Sequence, residues 1–190
     1  MKSSNVIAIR TCREIEGNFC DYMSVQYNKL SQFILDKDQF QELLLGFEMT
    51  RLPFLVAVKP PKGCATIEEA LSEGFKERVG DNGVVHGEWV QQPLVLAHSS
   101  VGCFVNHCGF GSMWESLMAD SQIVMVPQLG DQILNTRLMA SELKVGGEVE
   151  RTHNGWVSKH SLCKAIDSVI DEKSEVGRLV RKNHARWRDI

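Results

Sequence analysis

The chain has 190 residues, which suits one domain of ordinary size with a well-buried core. A formal net charge of -3 without any basic cluster gives no electrostatic ground for a nucleic-acid partner. The opening MKSSNVIAIR has no apolar run of signal-peptide length, nothing later reaches membrane-spanning length, and six cysteines lack paired spacing. Reduced thiols and a cytoplasmic location are therefore expected.

In chain order, Val6 to Ile9 is a short β-type run. The stretch TCREIEGNFCDYMSVQYNKL after it is helix-like, with Thr11 as a cap and Ile15, Phe19 and Tyr22 near helical spacing. Asp36 opens an amphipathic helix, DKDQFQELLLGFEMT, whose apolar stripe is Phe40, Leu43, Leu44 and Phe47. PFLVAV (53–58) reads as a buried strand, and KPPKGCATIEEALSEGFKERV as loop with one short helical piece. GVVHG (83–87) is the next strand, and QPLVLAH a short helix with Pro93 in its first turn.

GCFVNH (102–107) is an apolar run of strand length, CGFG a turn, and SMWESLMAD a helix. Ser112 as N-cap and Glu115 three residues on predict a capping box. A buried strand feeding a glycine turn and a helix N-terminus makes an anion site, because the first amides and the helix dipole face the turn. QIVMVPQ (122–128) is another strand, and LGDQ brings Gly130, Asp131 and Gln132 just past its end, where open parallel sheets hold ligands. Upstream, Trp89 offers a stacking face and Gln92 a bidentate amide. Helix DQILNTRLMASEL, strand VGGEVE, a turn at His153 to Gly155, helix SKHSLCKAIDSVIDE and a charged terminal helix complete the chain. Alternating strands and helices predict an α/β, doubly wound, mostly parallel Rossmann-like sheet. Cys103, His107 and Cys108 do not make a metal set: strand alternation separates Cys108 from the other two, and no second ligand cluster completes them.

The stretch from Trp89 to Gln132 resembles the signature box of plant family 1 UDP-dependent glycosyltransferases: W-x-x-Q, then H-C-G and S-x-x-E, closing on D-Q. The variant HCGFGSMWES followed by LGDQILNTR looks most like the branch that adds a sugar to the sugar of a flavonoid or anthocyanidin glycoside. The resemblance implies the C-terminal, donor-binding lobe of a GT-B enzyme over residues 31–190, with 1–30 a remnant of the acceptor lobe. It implies inverting, metal-independent sugar transfer from a UDP-sugar co-substrate, with no cofactor, to a small plant metabolite. Trp89 would stack on uracil and Val90 would offer its backbone to the base. Gln92 and Glu115 would hold the ribose, and His107 with the Gly109, Gly111 and Ser112 amides the diphosphate. Asp131 and Gln132 would bond the donor sugar. Ser31, Phe110 and Gly130 are further candidates. Phe110 stands where the family usually has Trp, and Gly111 where it has Asn; both changes bear on sugar preference.

The family's catalytic histidine and its aspartate have no counterpart here, so no catalytic residue is expected in this chain. The family's interdomain linker and the first strand of the donor lobe are also missing between Lys29 and Ser31. That strand would lie in mid-sheet. Its loss predicts that Val6 to Ile9 moves into the vacated place, or else that the domain is marginally stable. Two other readings stay open. One is a non-catalytic fragment that pairs with an acceptor lobe; the other, weaker, is a dehydrogenase-type dinucleotide fold, for which the third glycine is lacking.

Overall fold

The computed structural model describes residues 34–88 and 90–188, and the backbone of 6–10. The candidates Trp89 and Ser31, and the helix-like stretch after Arg10, lie outside the described residues.

Six strands form one sheet: β1 (Val6–Arg10), β2 (Phe54–Ala57), β3 (Gly83–His86), β4 (Val101–Asn106), β5 (Gln122–Met125) and β6 (Gly146–Glu148). Their spatial order is β3-β2-β1-β4-β5-β6, and every pair is parallel. This is the doubly wound order in which the direction of winding reverses between the first and fourth strands. β1 fills the centre, with Ile7 to Arg10 in register with Phe54 to Ala57 on one side and with Cys103 to Asn106 on the other. The expectation that this run enters the middle of the sheet holds. A strand there satisfies the inner ladder edges of both neighbours, which would otherwise leave buried amides and carbonyls unpaired.

Helices cover both faces. On one side lie α1 (Lys37–Thr50) and, late in the chain, α7 (Lys159–Ile170). The predicted stripe Phe40, Leu43, Leu44 and Phe47 is buried there, with Leu162, Ile166 and Val169 and the strand residues Val56, Cys103, Val105 and Val124. Two short helices, α2 (Ile67–Ala70) and α3 (Phe75–Val79), stand where one was expected. Thr66 starts the first of them: its hydroxyl accepts from Glu69 N at 3.3 Å, while the Glu69 carboxylate accepts from Ala65 N at 2.8 Å.

The opposite face carries α4 (Gln92–Leu96), α5 (Phe110–Met118) and α6 (Asp131–Arg137). Leu96 packs with Phe104 of β4, and Met113 and Leu117 with Ile123 and Met125 of β5. Along β4 the side chains alternate, Cys103 and Val105 to the first core and Phe104 to the second, as a strand covered on both faces requires. α6 widens into a π turn over Leu138–Glu142, with Leu143 N bonded to Leu138 O at 2.9 Å, where a continuous α-helix was expected. The last helix, α8 (Glu175–Arg188), packs on α7, β6 and α5. Its buried His184 bonds through Nε2 to Leu117 O at 3.1 Å, fixing the far end of α5. No helix among the described residues is long and apolar enough to cross a membrane.

Candidate functional site

In a parallel sheet all strands end on one edge, so the loops after β3, β4 and β5 open on the same side as the reversal between β1 and β4. Every described candidate residue lies in those loops or in the helices they start.

The turn after β4 is built by Asn106, which sequence reasoning overlooked. Its side chain is buried, its Oδ1 accepts from Cys108 N at 2.8 Å, and its Nδ2 donates to Ser116 Oγ at 3.2 Å. Cys108 takes a left-handed φ of +58°, and the chain enters α5 at once, with Gly109 as N-cap. The helix therefore starts at Phe110, with its N-cap three residues earlier than predicted, and the capping box expected of Ser112 and Glu115 does not form. The physical reason is that Asn106 and Cys108 bend the chain sharply enough to begin the helix without a side-chain cap. Ser112 is instead a buried residue of the first helical turn, and its Oγ has no hydrogen-bond partner. The first intrahelical bond is Met113 N to Gly109 O at 2.8 Å, so the amides of Gly109, Phe110, Gly111 and Ser112 precede the helical ladder. His107, half-buried, stands two residues before Gly109.

Freed from capping, the Glu115 carboxylate accepts a hydrogen bond from Gln92 Nε2 at the start of α4. These two predicted ribose ligands are thus brought together from segments 23 residues apart. Gln92 is almost fully buried, and its Oε1 has no partner. Val90 already uses its carbonyl locally, accepting from Gln92 N at 2.8 Å.

After β5, Gly130 caps α6 with a φ of +45°, and Asp131 and Gln132 form the first turn. Asp131 is exposed. Gln132 Oε1 accepts from Gln128 N at 2.9 Å and Leu129 N at 3.2 Å, so the amide oxygen organises its own loop. Arg151 steadies the same loop by donating from Nη1 to Pro127 O at 2.9 Å. Beside it opens a cavity of about 560 Å³ lined by Gln128, Ile133, Glu148, Arg151, Thr152 and His153 among others. Asn135, a second residue overlooked in the sequence, donates from Nδ2 to Cys108 O at 3.0 Å and ties α6 to the turn after β4. Its position four residues after Asp131 places it on the same helical face, which is the signal that could have found it. Phe110 is exposed and meets Trp114 edge-on, with ring centroids 6.4 Å apart. Burial raises the Cys108 thiol to about 11 and Cys103 well above the usual thiol range, so neither is a thiolate at neutral pH. No cluster of three or more His, Cys, Asp or Glu suited to a metal occurs among the described residues.

Residues 73–186 match the profile of the family described as UDP-glucoronosyl and UDP-glucosyl transferase. The chain belongs to the UDP-glycosyltransferase family. It is 55% identical to UDP-glucosyl transferase 79T1 of Saponaria officinalis, with 99% of this chain and 51% of the relative covered. It is 54% identical to the anthocyanidin 3-O-glucoside 2'''-O-xylosyltransferase of Arabidopsis thaliana, with 100% and 49% covered. The fold is that of the Phytolacca americana UGT2 complex with UDP-2fluoro-glucose and pterostilbene, at a TM-score of 0.79 and 23% identity, over 100% of this chain and 37% of that one. The lobe is accordingly the Rossmann-like C-terminal half of a GT-B glycosyltransferase.

This UDP-glycosyltransferase chain spans about half the length of the curated relatives it matches. Those alignments run over 227 and 231 positions against 190 residues here, so at least 37 positions of the relatives' matched stretch face no residue of this chain.

Proposed function

We propose that the chain is the UDP-sugar donor lobe of a plant glycosyltransferase. The observation that carries this reading is the joining of Gln92 to Glu115 beside the β4–α5 turn, at the reversal of the sheet. The carboxylate would accept from the ribose hydroxyls, and the buried Gln92 would keep it in place. The amides that open α5 and the His107 imidazole would face the diphosphate. As UDP leaves, charge grows on the β-phosphate, and donors fixed in advance favour that charged state over the ground state. This donor set would serve without a metal ion, and the UDP-sugar would act as co-substrate, with no cofactor. Trp89 is assigned to the uracil face by family resemblance. Asp131 and the Nε2 of Gln132 would select the sugar.

The proposed reaction is inverting transfer to a small plant metabolite. A glycosylated flavonoid is the proposed acceptor class, supported by the resemblance to an anthocyanidin glucoside xylosyltransferase. This chain supplies no residue matching the family's catalytic base, so by itself it would bind UDP and transfer little sugar. Charge-assisted contacts of about 1.5–3 kcal/mol each are set against an association cost of about 4 kcal/mol or more in an open crevice. The expected dissociation constant is on the order of 0.1–1 mM. Isothermal titration with UDP, UDP-glucose and NAD tests this, and saturable UDP binding without NAD binding is the expected result. Binding of NAD in preference to UDP would refute it, and so would glycosyl transfer by the purified chain. Co-purification with an acceptor lobe in the absence of UDP binding would favour a purely interacting fragment instead.

A further inference from the structure

Cys108 is buried, yet it holds a left-handed backbone that residues with a Cβ resist. Both peptide groups flanking it are held by asparagine side chains: Asn106 Oδ1 accepts from Cys108 N at 2.8 Å, and Asn135 Nδ2 donates to Cys108 O at 3.0 Å. Asn106 belongs to the strand that leads into the turn, but Asn135 comes from α6, 27 residues away in sequence. In a trans peptide the C=O and the following N–H point in opposite directions. A Cys108 carbonyl drawn towards α6 therefore turns the Gly109 N–H away from α6. That N–H is among the amides preceding the ladder of α5.

We propose that Asn135 is a positioning residue for the diphosphate-binding turn, setting the orientation of the Cys108–Gly109 peptide without touching the nucleotide itself. The inference rests on the donor-lobe reading and adds to it a specific link: the helix that begins with the sugar-selecting Asp131 and Gln132 also holds the phosphate turn in shape. The bond is half-buried, so water can replace it when the side chain is changed and the fold need not collapse. What would be lost is the fixed direction of one donor.

The test compares UDP with uridine by NMR titration, which reaches millimolar affinities, on the wild-type chain, Asn135→Leu and Asn135→Ala. The leucine keeps the size and removes the donating amide without adding charge near the diphosphate; the alanine removes the whole group. Uridine affinity is expected to stay within about twofold, while the preference for UDP over uridine falls at least about tenfold. Any unfolded fraction lowers both apparent affinities by the same factor and divides out of that ratio, so a merely structural role leaves the ratio unchanged. An unchanged ratio in the variant that folds overturns the assignment of Asn135. A wild-type chain that does not prefer UDP to uridine overturns the donor-lobe reading beneath it.

Discussion

Substituting proline for Ala8 tests whether the run Val6–Arg10 holds the sheet together. Ala8 lies opposite Leu55 on β2 and Phe104 on β4, between the four-position register with one neighbour and the ladder with the other. In a strand paired on both sides every amide has a ladder partner, and proline has no amide to give. The loss comprises one hydrogen bond of about 1 kcal/mol net and an acceptor left unsatisfied beside fully buried residues, a further 1–3 kcal/mol or so. Phe104 and Val105 on β4 are completely inaccessible, so water cannot repair the break. Adding the steric conflict of the ring, Ala8→Pro should destabilise the chain by about 3 kcal/mol, a fall in Tm of roughly 6–12 °C for a domain of this size. Thermal unfolding followed by far-UV circular dichroism reads the effect directly. A variant that melts with the wild type would show that β1 does not occupy the middle of the sheet.

Ser112→Ala removes a buried hydroxyl that lacks a partner and keeps the backbone amide assigned to the diphosphate, so the free chain should keep or slightly gain stability with UDP affinity within about twofold, as melting and titration of one sample would show. Trp89→Ala should weaken UDP binding by about 1–3 kcal/mol, the worth of stacking a base on an aromatic ring, and a calorimetric titration checks it. Gly146→Ala would place a Cβ 2.6 Å from the Ile123 carbonyl oxygen, and urea unfolding should report a loss of about 1–3 kcal/mol. Burial holds His184 below its ordinary value of 6.5, so the unfolded chain takes up the proton first as pH falls. Stability should be level above about pH 6.5 and decline below it as far as the lowered folded value, and His184→Gln should flatten that decline in a series of urea melts.

The amphipathic stripe of α1 and the apolar runs of β2, β4 and β5 were legible because burial imposes periodicity on the sequence. The described candidate residues fall on one edge of the sheet as the sequence led one to expect, but their local chemistry was less legible. Ser112 and Glu115 have the spacing of a capping box, and so do Thr66 and Glu69; only the second pair caps a helix, because the first lies beyond a turn already closed by Asn106. Gln132 looked like a pure sugar ligand, whereas half of its amide is engaged by Gln128 and Leu129. Asn135 escaped notice because the Cys108 carbonyl it bonds is 27 residues away and is brought close only by the fold, and Asn106 because its bond to the Cys108 amide, two residues on, is hidden in what reads as the end of a strand. The π turn at Leu138–Glu142 depends on hydrogen bonds displaced by one residue, which leave no periodic mark on the sequence.

The pairing of Gln92 with Glu115 as a ribose clamp is tested most directly by titrating the wild-type chain and Glu115→Ala with UDP and with 2′,3′-dideoxy-UDP. A carboxylate accepting from the diol should make the wild type prefer UDP by about tenfold or more, and the alanine variant should lose that preference. Equal affinity of the wild-type chain for the two nucleotides would contradict the assignment.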